Sequence, residues 1–371
     1  MKKTMLIVND FLYAGGVEKL MLEFIGFWHQ KYNITVMTNR RCRGIEDCFP
    51  AKVKWIQFYP QYDFTQIKGM RRIGELIVKV YQFFLFQHLA YHKYDVLLAM
   101  KEGRIMRNAA SIKAQKKLAW VHLDYADAYW TDSVFSSTEE ELHCMKSYDH
   151  VVCVSQYVKA SILQKIGDPG NLTVRYNPID AKKIIEKSGR SRAFPRRKRD
   201  EVIFVSVGRL HYQKGFDMLL EACRQLNVCR RDYQIYILGD GPEREKLVEK
   251  GHMLRLENVH FLGQMDNPYP YIAEADWLLS CARQEGYFLV EQEAAVLGIP
   301  ILATDCFGAR ELLGNAEYGI LMECSPGSIC KSIEQVLNHR EWREVYHKKI
   351  EERNRQLGLE NRIASIEALF E

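Results

Sequence analysis

The sequence predicts an α/β fold of two Rossmann-like, doubly wound domains, on three observations. Its 371 residues are long for a single core and comfortable for two domains of about 150–200 residues. Short, continuous apolar runs recur along the chain with helical stretches between several of them, the pattern of parallel strands buried on both faces. Near the middle, the turn Asn177-Pro178-Ile179-Asp180 and a strongly basic stretch interrupt this alternation. The expected division is therefore 1–180, a linker 181–200, and a second domain from 201.

Bulk composition narrows the class. Hydrophobic residues make up 47% and charged residues 27%, as in an ordinary soluble globular protein. No run of 18 apolar residues occurs, and Met1-Lys2-Lys3 passes into an apolar run without a small-residue cleavage site, so a cytoplasmic location is expected. Ten cysteines contain no Cys-x-x-Cys; the pairs Cys42/Cys48, Cys223/Cys229 and Cys324/Cys330 match no common zinc spacing, which points to reduced thiols and no metal site. The net charge of +5 is uneven: basic residues exceed acidic ones by 6 in 1–180 and by 7 in 181–200, and fall short by 8 in 201–371. Two halves of opposite sign face different partners, and the basic side suits anionic lipid headgroups or a polyphosphate acceptor. Nucleic acid would suit it too, but no recognised nucleic-acid module is present, so no nucleic-acid partner is expected.

The first strand is expected at 4–8, followed by a loop with Gly15 and Gly16 and a helix from Val17. Strand, glycine loop and helix is a layout that holds a phosphate on a helix N-terminus, or else a simple tight turn. Strand-like runs follow at 34–38, 53–58, 96–100, 118–121, 151–155 and 172–176. Residues 68–94 stand apart: Lys68, Arg71 and Arg72 open a stretch that continues through Ile73, Leu76, Val80, Phe83 and Phe84. Such a helix either lies in a membrane interface with its basic end on headgroups or packs on the sheet.

His122 stands just past the end of a strand, where ligands collect in open α/β sheets. Near it, Tyr125, Tyr129 and Trp130 form a candidate aromatic platform, with Asp124 between; Lys101, Glu102, Gly103 and Arg104 close the preceding strand. The 181–200 stretch is either a solvated linker or a headgroup-binding strip. Beyond it, a strand at 202–207 runs into Gly208-Arg209-Leu210-His211-Tyr212-Gln213-Lys214-Gly215, where Gly208 frees the turn and two cations stand ready to neutralise a leaving diphosphate. Gly239 lies in a second strand-to-glycine turn, and Gln264 and Met265 follow a strand at 259–263.

The richest stretch is Arg283-Gln284-Glu285-Gly286-Tyr287-Phe288-Leu289-Val290-Glu291-Gln292-Glu293. On a helix, eight positions are a little over two turns, so Glu285 and Glu293 share nearly one face. The amides of Tyr287, Phe288 and Leu289 at the helix entry favour an anion, and two carboxylates suit hydroxyls; together they suit a sugar nucleotide.

These words, with Gly208–Gly215, 298–305 and Gly308-Ala309-Arg310-Glu311, closely resemble family 4 of the retaining glycosyltransferases, with its Glu-x7-Glu motif and GT-B fold. The resemblance covers nearly the whole chain, strongest from Gly208 to Glu311. It implies two facing Rossmann-like domains with the acceptor in the first, the donor in the second (201–354), and a last helix, from about 355, packed back on the first. It implies transfer of a sugar from a nucleoside diphosphate sugar, most simply a UDP-sugar, to a hydroxyl of a saccharide acceptor; no cofactor is required, and the absence of Asp-x-Asp argues against a metal-bridged diphosphate.

Carried over residue by residue, the motif makes Glu293 the ligand of the ribose hydroxyls and Glu285 that of the transferred sugar. Arg209 and Lys214 fall on the diphosphate, Gly239, Gln264 and Met265 on the rim of the donor site. His122 and the Gly15-Gly16 loop then lie near the leaving phosphate, and Lys101, Arg104, Asp124 and Tyr125 face the acceptor. One departure stands out: Phe288 replaces the family's usual glycine, which leaves sugar specificity open. A polyprenyl-diphosphate-linked acceptor at the inner face of the membrane and a soluble acceptor are both compatible with this pattern. A sugar-nucleotide epimerase or a non-catalytic sugar-nucleotide-binding protein of the same fold are the alternatives.

Overall fold

The structure, a computed structural model, describes residues 2–10, 16–39, 49–59, 71–91, 93–125, 129–189, 193–194, 201–284, 289–358 and 361–371. Gly15, Lys68, most of 190–200, and Glu285, Gly286, Tyr287 and Phe288 lie outside the described residues, as do the side chains of Arg71, Tyr129 and Trp130. The chain forms two compact units, Met1–Pro178 with Ile363–Glu371, and Ile179–Arg362.

The first unit runs β1 (Lys3–Val8), α1 (Gly16–Trp28), β2 (Tyr32–Thr38), β3 (Lys54–Gln57), α2 (Arg71–Tyr91), β4 (Tyr94–Ala99), α3 (Arg104–Ala110), β5 (Ala114–Val121), α4 (Thr138–Lys146), β6 (His150–Cys153), α5 (Gln156–Lys165) and β7 (Leu172–Val174). Its sheet has the order β3-β2-β1-β4-β5-β6-β7, all parallel. The apolar run of β1 lies in mid-sheet between β2 and β4, where Met5, Leu6 and Ile7 are fully buried, because both faces of a parallel sheet are covered by helices. Ser137 and Ser155 start α4 and α5 by accepting the amides of Glu140 and Val158.

Helix α2 packs on the first unit along one side and leaves an apolar stripe exposed along the other. Leu85 and Leu89 are buried, and the Tyr81 hydroxyl donates to the Gln57 carbonyl at 2.8 Å. Ile73, Leu76, Val80, Phe83, Phe84 and Tyr91 are exposed, and their spacing puts them on one stripe of the helix.

The second unit runs α6 (Ala181–Ser188), β8 (Val202–Val207), α7 (Phe216–Leu226), β9 (Tyr233–Leu238), α8 (Arg244–Met253), β10 (Val259–Gly263), α9 (Tyr269–Glu274), β11 (Trp277–Ser280), α10 (Leu289–Val296), β12 (Ile301–Thr304), α11 (Phe307–Leu312), β13 (Ile320–Met322), α12 (Pro326–Asn338) and α13 (Trp342–Gln356), and α14 (Arg362–Glu367) carries the chain out of it. The parallel order is β10-β9-β8-β11-β12-β13. Period-2 alternation splits its core: Val202 and Phe204 of β8 face one layer, and Ile203 and Val205 the other.

After β13 the described residues form three α-helices, with α12 started by Ser325 at its N-cap and Pro326 in its first turn. Helix α13 stays with the second unit, since Ile350 is fully buried in that core and the Arg353 guanidinium donates to the carbonyls of Leu312 and Glu311 at 2.8 and 2.6 Å. The return to the first unit begins at Ile363, later than the expected 355. There, the Trp28 indole and Lys31 ammonium donate to Glu367 at 2.9 and 2.7 Å, and Phe370 packs edge-on against Trp28 at 4.9 Å.

Candidate functional site

In doubly wound sheets the binding crevice opens beyond the carboxyl ends of the strands, where the strand order reverses. In the second unit that point lies between β8 and β11. The loop after β8 carries Gly208 to Gly215, and the loop after β11 leads through Cys281 and Arg283 toward α10. The two loops are stitched together. The Arg283 amide donates to the Gln213 carbonyl at 2.7 Å, and its guanidinium forks onto both Asp217 oxygens at 2.8 Å. The same group donates to the Tyr212 carbonyl at 2.6 Å and lies 3.9 Å over the Tyr212 ring. That hydrogen-bonded fork holds Asp217 below the usual carboxylate range.

Two glycines permit this approach. Gly215 has φ 66°, and a Cβ there would sit 2.0 Å from the Cys281 carbonyl oxygen. Gly239, with φ 140°, would place a Cβ 2.0 Å from the Gly208 carbonyl oxygen, so the turns after β8 and β9 also touch through backbone.

On this frame Arg209 is exposed and has no ion pair among the described residues. Lys214 is half-buried by area but enclosed by protein; its stem crosses Gly208, with Cδ and Cε 3.5 Å from where a Cβ would stand, and burial lowers its pKa. Leu289 opens α10, on which Glu291, Gln292 and Glu293 are 3%, 1% and 2% exposed. The Tyr269 hydroxyl lies 3.5 Å from Glu293 Oε1. Beyond β10, Gly263 has φ 77°, Gln264 is exposed and Met265 half-buried. The structure thus gathers Gly208, Arg209, Lys214, Gly239, Gln264, Met265, Leu289 and Glu293 at the carboxyl edge of one sheet.

In the first unit the order reverses between β1 and β4. Gly16 opens α1 there, and Arg104 is exposed at the start of α3 after Gly103, whose φ is 69°. His122, at the end of β5, is held by two bonds: its amide donates to Glu102 Oε2 at 2.9 Å, and Nε2 lies 2.9 Å from the Met100 carbonyl. A carbonyl only accepts, so Nε2 carries the proton; burial pushes the ring down to about 4, so it is neutral near pH 7 and Nδ1 is left as an acceptor.

Two acceptor-side expectations are corrected. Tyr125 is fully buried, its hydroxyl donating to Glu141 Oε1 at 2.8 Å and its amide to the Ser161 hydroxyl at 3.0 Å, so it is a core residue and no platform. Lys101 is bound by Asp10 Oδ1 and Glu18 Oε1, each at 2.9 Å. Desolvation lowers its pKa, but the two carboxylates outweigh that and the net shift is upward; the ammonium braces the turns after β1 and β4. Asp124 accepts the Tyr157 hydroxyl at 2.9 Å.

Sequence reasoning missed the Arg283–Asp217 clamp and the burial of Glu291. Arg283 stands two positions before Glu285, but nothing local pairs it with a residue 66 positions away. Glu291 offered no signal, since an off-motif glutamate on a helix ordinarily points to water.

A family model described as "Glycosyltransferase Family 4" matches residues 14–183, and one described as "Glycosyl transferases group 1" matches 188–353. An N-acetylgalactosamine-N,N'-diacetylbacillosaminyl-diphospho-undecaprenol 4-alpha-N-acetylgalactosaminyltransferase of Campylobacter jejuni is 31% identical over 188 residues, 50% of this chain and 49% of the relative. The chain thus spans about half the length of the first curated relatives it matches. Among solved structures, Anabaena HepE in complex with UDP-glucose superposes with a TM-score of 0.75 at 16% identity, covering 98% of both chains. TarM of S. aureus gives 0.74 at 13% identity over 100% of this chain and 99% of its own. At such identities these structures establish the fold, which is GT-B.

Proposed function

This chain belongs to family 4 of the GT-B glycosyltransferases, and from that premise we propose that it moves a hexosyl unit from a UDP-sugar to a hydroxyl of a saccharide acceptor, with retention of anomeric configuration. The observation that supports the reading is the stitched pair of loops at the β8/β11 switch point, which joins the turn carrying Arg209 and Lys214 to the strand end leading toward the helix that bears Glu293. Preorganised cations there stabilise charge on a departing diphosphate without reorganising when the bond breaks. Glu293 takes the ribose hydroxyls and Glu285 the sugar, and the leaving phosphate helps to deprotonate the acceptor on the same face. Neutral His122 accepts a hydrogen bond at Nδ1 without placing a second cation beside the anion. Co-crystallised UDP-glucose on HepE is in keeping with a uridine donor.

The acceptor is read as a lipid-linked saccharide met at an anionic membrane surface, in cell-surface polysaccharide synthesis. Two findings support this: the diphospho-undecaprenol in the name of the C. jejuni relative, and the exposed apolar stripe of α2 flanked by exposed Arg72 and Lys79. No helix among the described residues is long and apolar enough to cross a membrane.

A thermal-shift screen of UDP-, GDP- and ADP-sugars tests the donor. At a hundredfold excess over Kd, a ligand of the folded state adds about 2.7 kcal/mol, or roughly 5–10 °C for a domain of this size. One nucleotide family should stabilise the wild type and lose its effect in Arg209→Ala; no stabilisation by any of them would sink the donor assignment.

A further inference from the structure

The turn that carries Lys214 is closed on itself and then clipped from outside. Within it, the Lys214 amide donates to the His211 carbonyl at 2.9 Å, and the Gly215 amide to the Tyr212 carbonyl at 3.2 Å. The clip is Arg283, in the loop after β11. Its amide donates at 2.7 Å to the carbonyl of Gln213, the residue just before Lys214. Its guanidinium donates to the Tyr212 carbonyl at 2.6 Å, and at 2.8 Å to each oxygen of Asp217, which lies beyond Lys214 in the first turn of α7. The same group lies 3.9 Å over the Tyr212 ring.

These anchors bracket Lys214 on both sides along the chain. With the backbone held before and after it, and its stem laid across Gly208, the path by which the ammonium leaves the turn is set by Arg283. Arginine suits this task and lysine does not. A planar fork meets both carboxylate oxygens while another N–H reaches a carbonyl and the flat face stacks on a ring; an ammonium has the charge but neither fork nor face. The hydrogen-bonded fork also holds Asp217 below the usual carboxylate range, so the pair stays charged and closed near pH 7.

We propose, on the footing of the donor assignment above, that Arg283 is a positioning residue for the donor diphosphate and that it acts through Lys214. It holds the turn that presents the ammonium, and its own guanidinium stays on Asp217 and Tyr212 and does not touch the ligand. Because the clamp is closed before any ligand arrives, the ordering of Lys214 is completed on folding and is not charged against binding.

The test is a double-mutant cycle on diphosphate affinity. UDP, then GDP and ADP, are titrated into the full chain by calorimetry, with weak affinities read from line broadening of the base protons in the nucleotide's NMR spectrum. Arg283→Lys keeps a charge and an apolar stem but loses the fork and the stacked face, and should weaken the nucleotide that binds the wild type by about tenfold. Lys214→Ala should weaken it as well. The variant carrying both changes should bind within about twofold of Lys214→Ala alone, since the clamp then has no ammonium to place. Asp217→Asn removes one arm of the fork from the other side; it should repeat the pattern, and it takes the place of Arg283→Lys if that protein does not fold. The matching nucleoside, which lacks the diphosphate, should bind the wild type and Arg283→Lys alike.

Three results overturn the inference and leave the donor assignment standing: clamp variants that bind the diphosphate like the wild type, losses that multiply when the clamp and Lys214 changes are combined, or a nucleoside weakened as much as its diphosphate. A wild type that binds none of the three diphosphates overturns the donor assignment and this inference with it.

Discussion

Replacing Gly215 by alanine should separate the two loops that meet at the β8/β11 switch point. The added Cβ would lie 2.0 Å from the Cys281 carbonyl oxygen and 2.7 Å from the Met218 methyl. Methionine can turn away, but the carbonyl belongs to the backbone leading out of β11, so one loop must move by about 1 Å to restore ordinary contact. Two costs add up: about 1 kcal/mol for a non-glycine residue at φ 66°, and about 1–3 kcal/mol for overpacking. The sum of about 2–4 kcal/mol lowers the midpoint of a domain this size by roughly 5–15 °C. Gly327→Ala is the control: nothing lies within 4 Å of that position and it is inside α12, so alanine should be neutral or stabilising by about 0.5–1 kcal/mol. Differential scanning calorimetry reads both. Lys214 precedes the glycine, so UDP-sugar affinity measured well below the new midpoint should fall as well, by about tenfold or more. A Gly215→Ala protein melting within about 1 °C of the wild type would refute the close approach of the loops.

Other consequences follow from the first unit. His122 has a folded pKa of about 4 against an ordinary 6.5, so the unfolded chain binds the proton first, and stability is lost as pH falls through that window. The full gap is worth about 3 kcal/mol; urea midpoints at about pH 4.5 and 7 should differ by less in His122→Gln than in the wild type, and an unchanged difference would show the ring to be solvated. On α2, Phe83→Glu with Phe84→Glu removes two exposed aromatic side chains worth about 2 kcal/mol each on burial. Sedimentation with anionic liposomes at low salt should drop at least about a hundredfold in affinity, and a wild type that does not sediment would remove the membrane reading.

Legibility in the sequence followed the reach of each physical signal. Parallel strands buried on both faces write their own continuous apolar runs, so β1, β8 and β10 could be placed within a residue or two. Strand β13, only Ile320–Met322 at a sheet edge, is too short to rise above its surroundings and was not anticipated. Loop residues at the carboxyl edges were legible because glycine and cation spacings are local, whereas burial is not: Tyr125 looked like a platform beside His122, and only Glu141, 16 positions away, reveals it as core.

The same distinction decides which cations can serve a ligand. At each switch point a basic residue lies next to backbone that must stay in place, and in each unit one of them is committed to holding it: Lys101 between Asp10 and Glu18, Arg283 on Asp217. Each pair links turns from neighbouring strands, so its energy goes into the shape of the crevice edge. Arg104 and Arg209 carry no such ion pair among the described residues and are exposed at the same edges. An exposed guanidinium keeps its hydration until an anion replaces it, and its planar fork suits a phosphate. Charge at a strand end therefore does not identify a binding residue by itself. Lys214 falls between the two classes, desolvated like a brace and placed like a ligand contact.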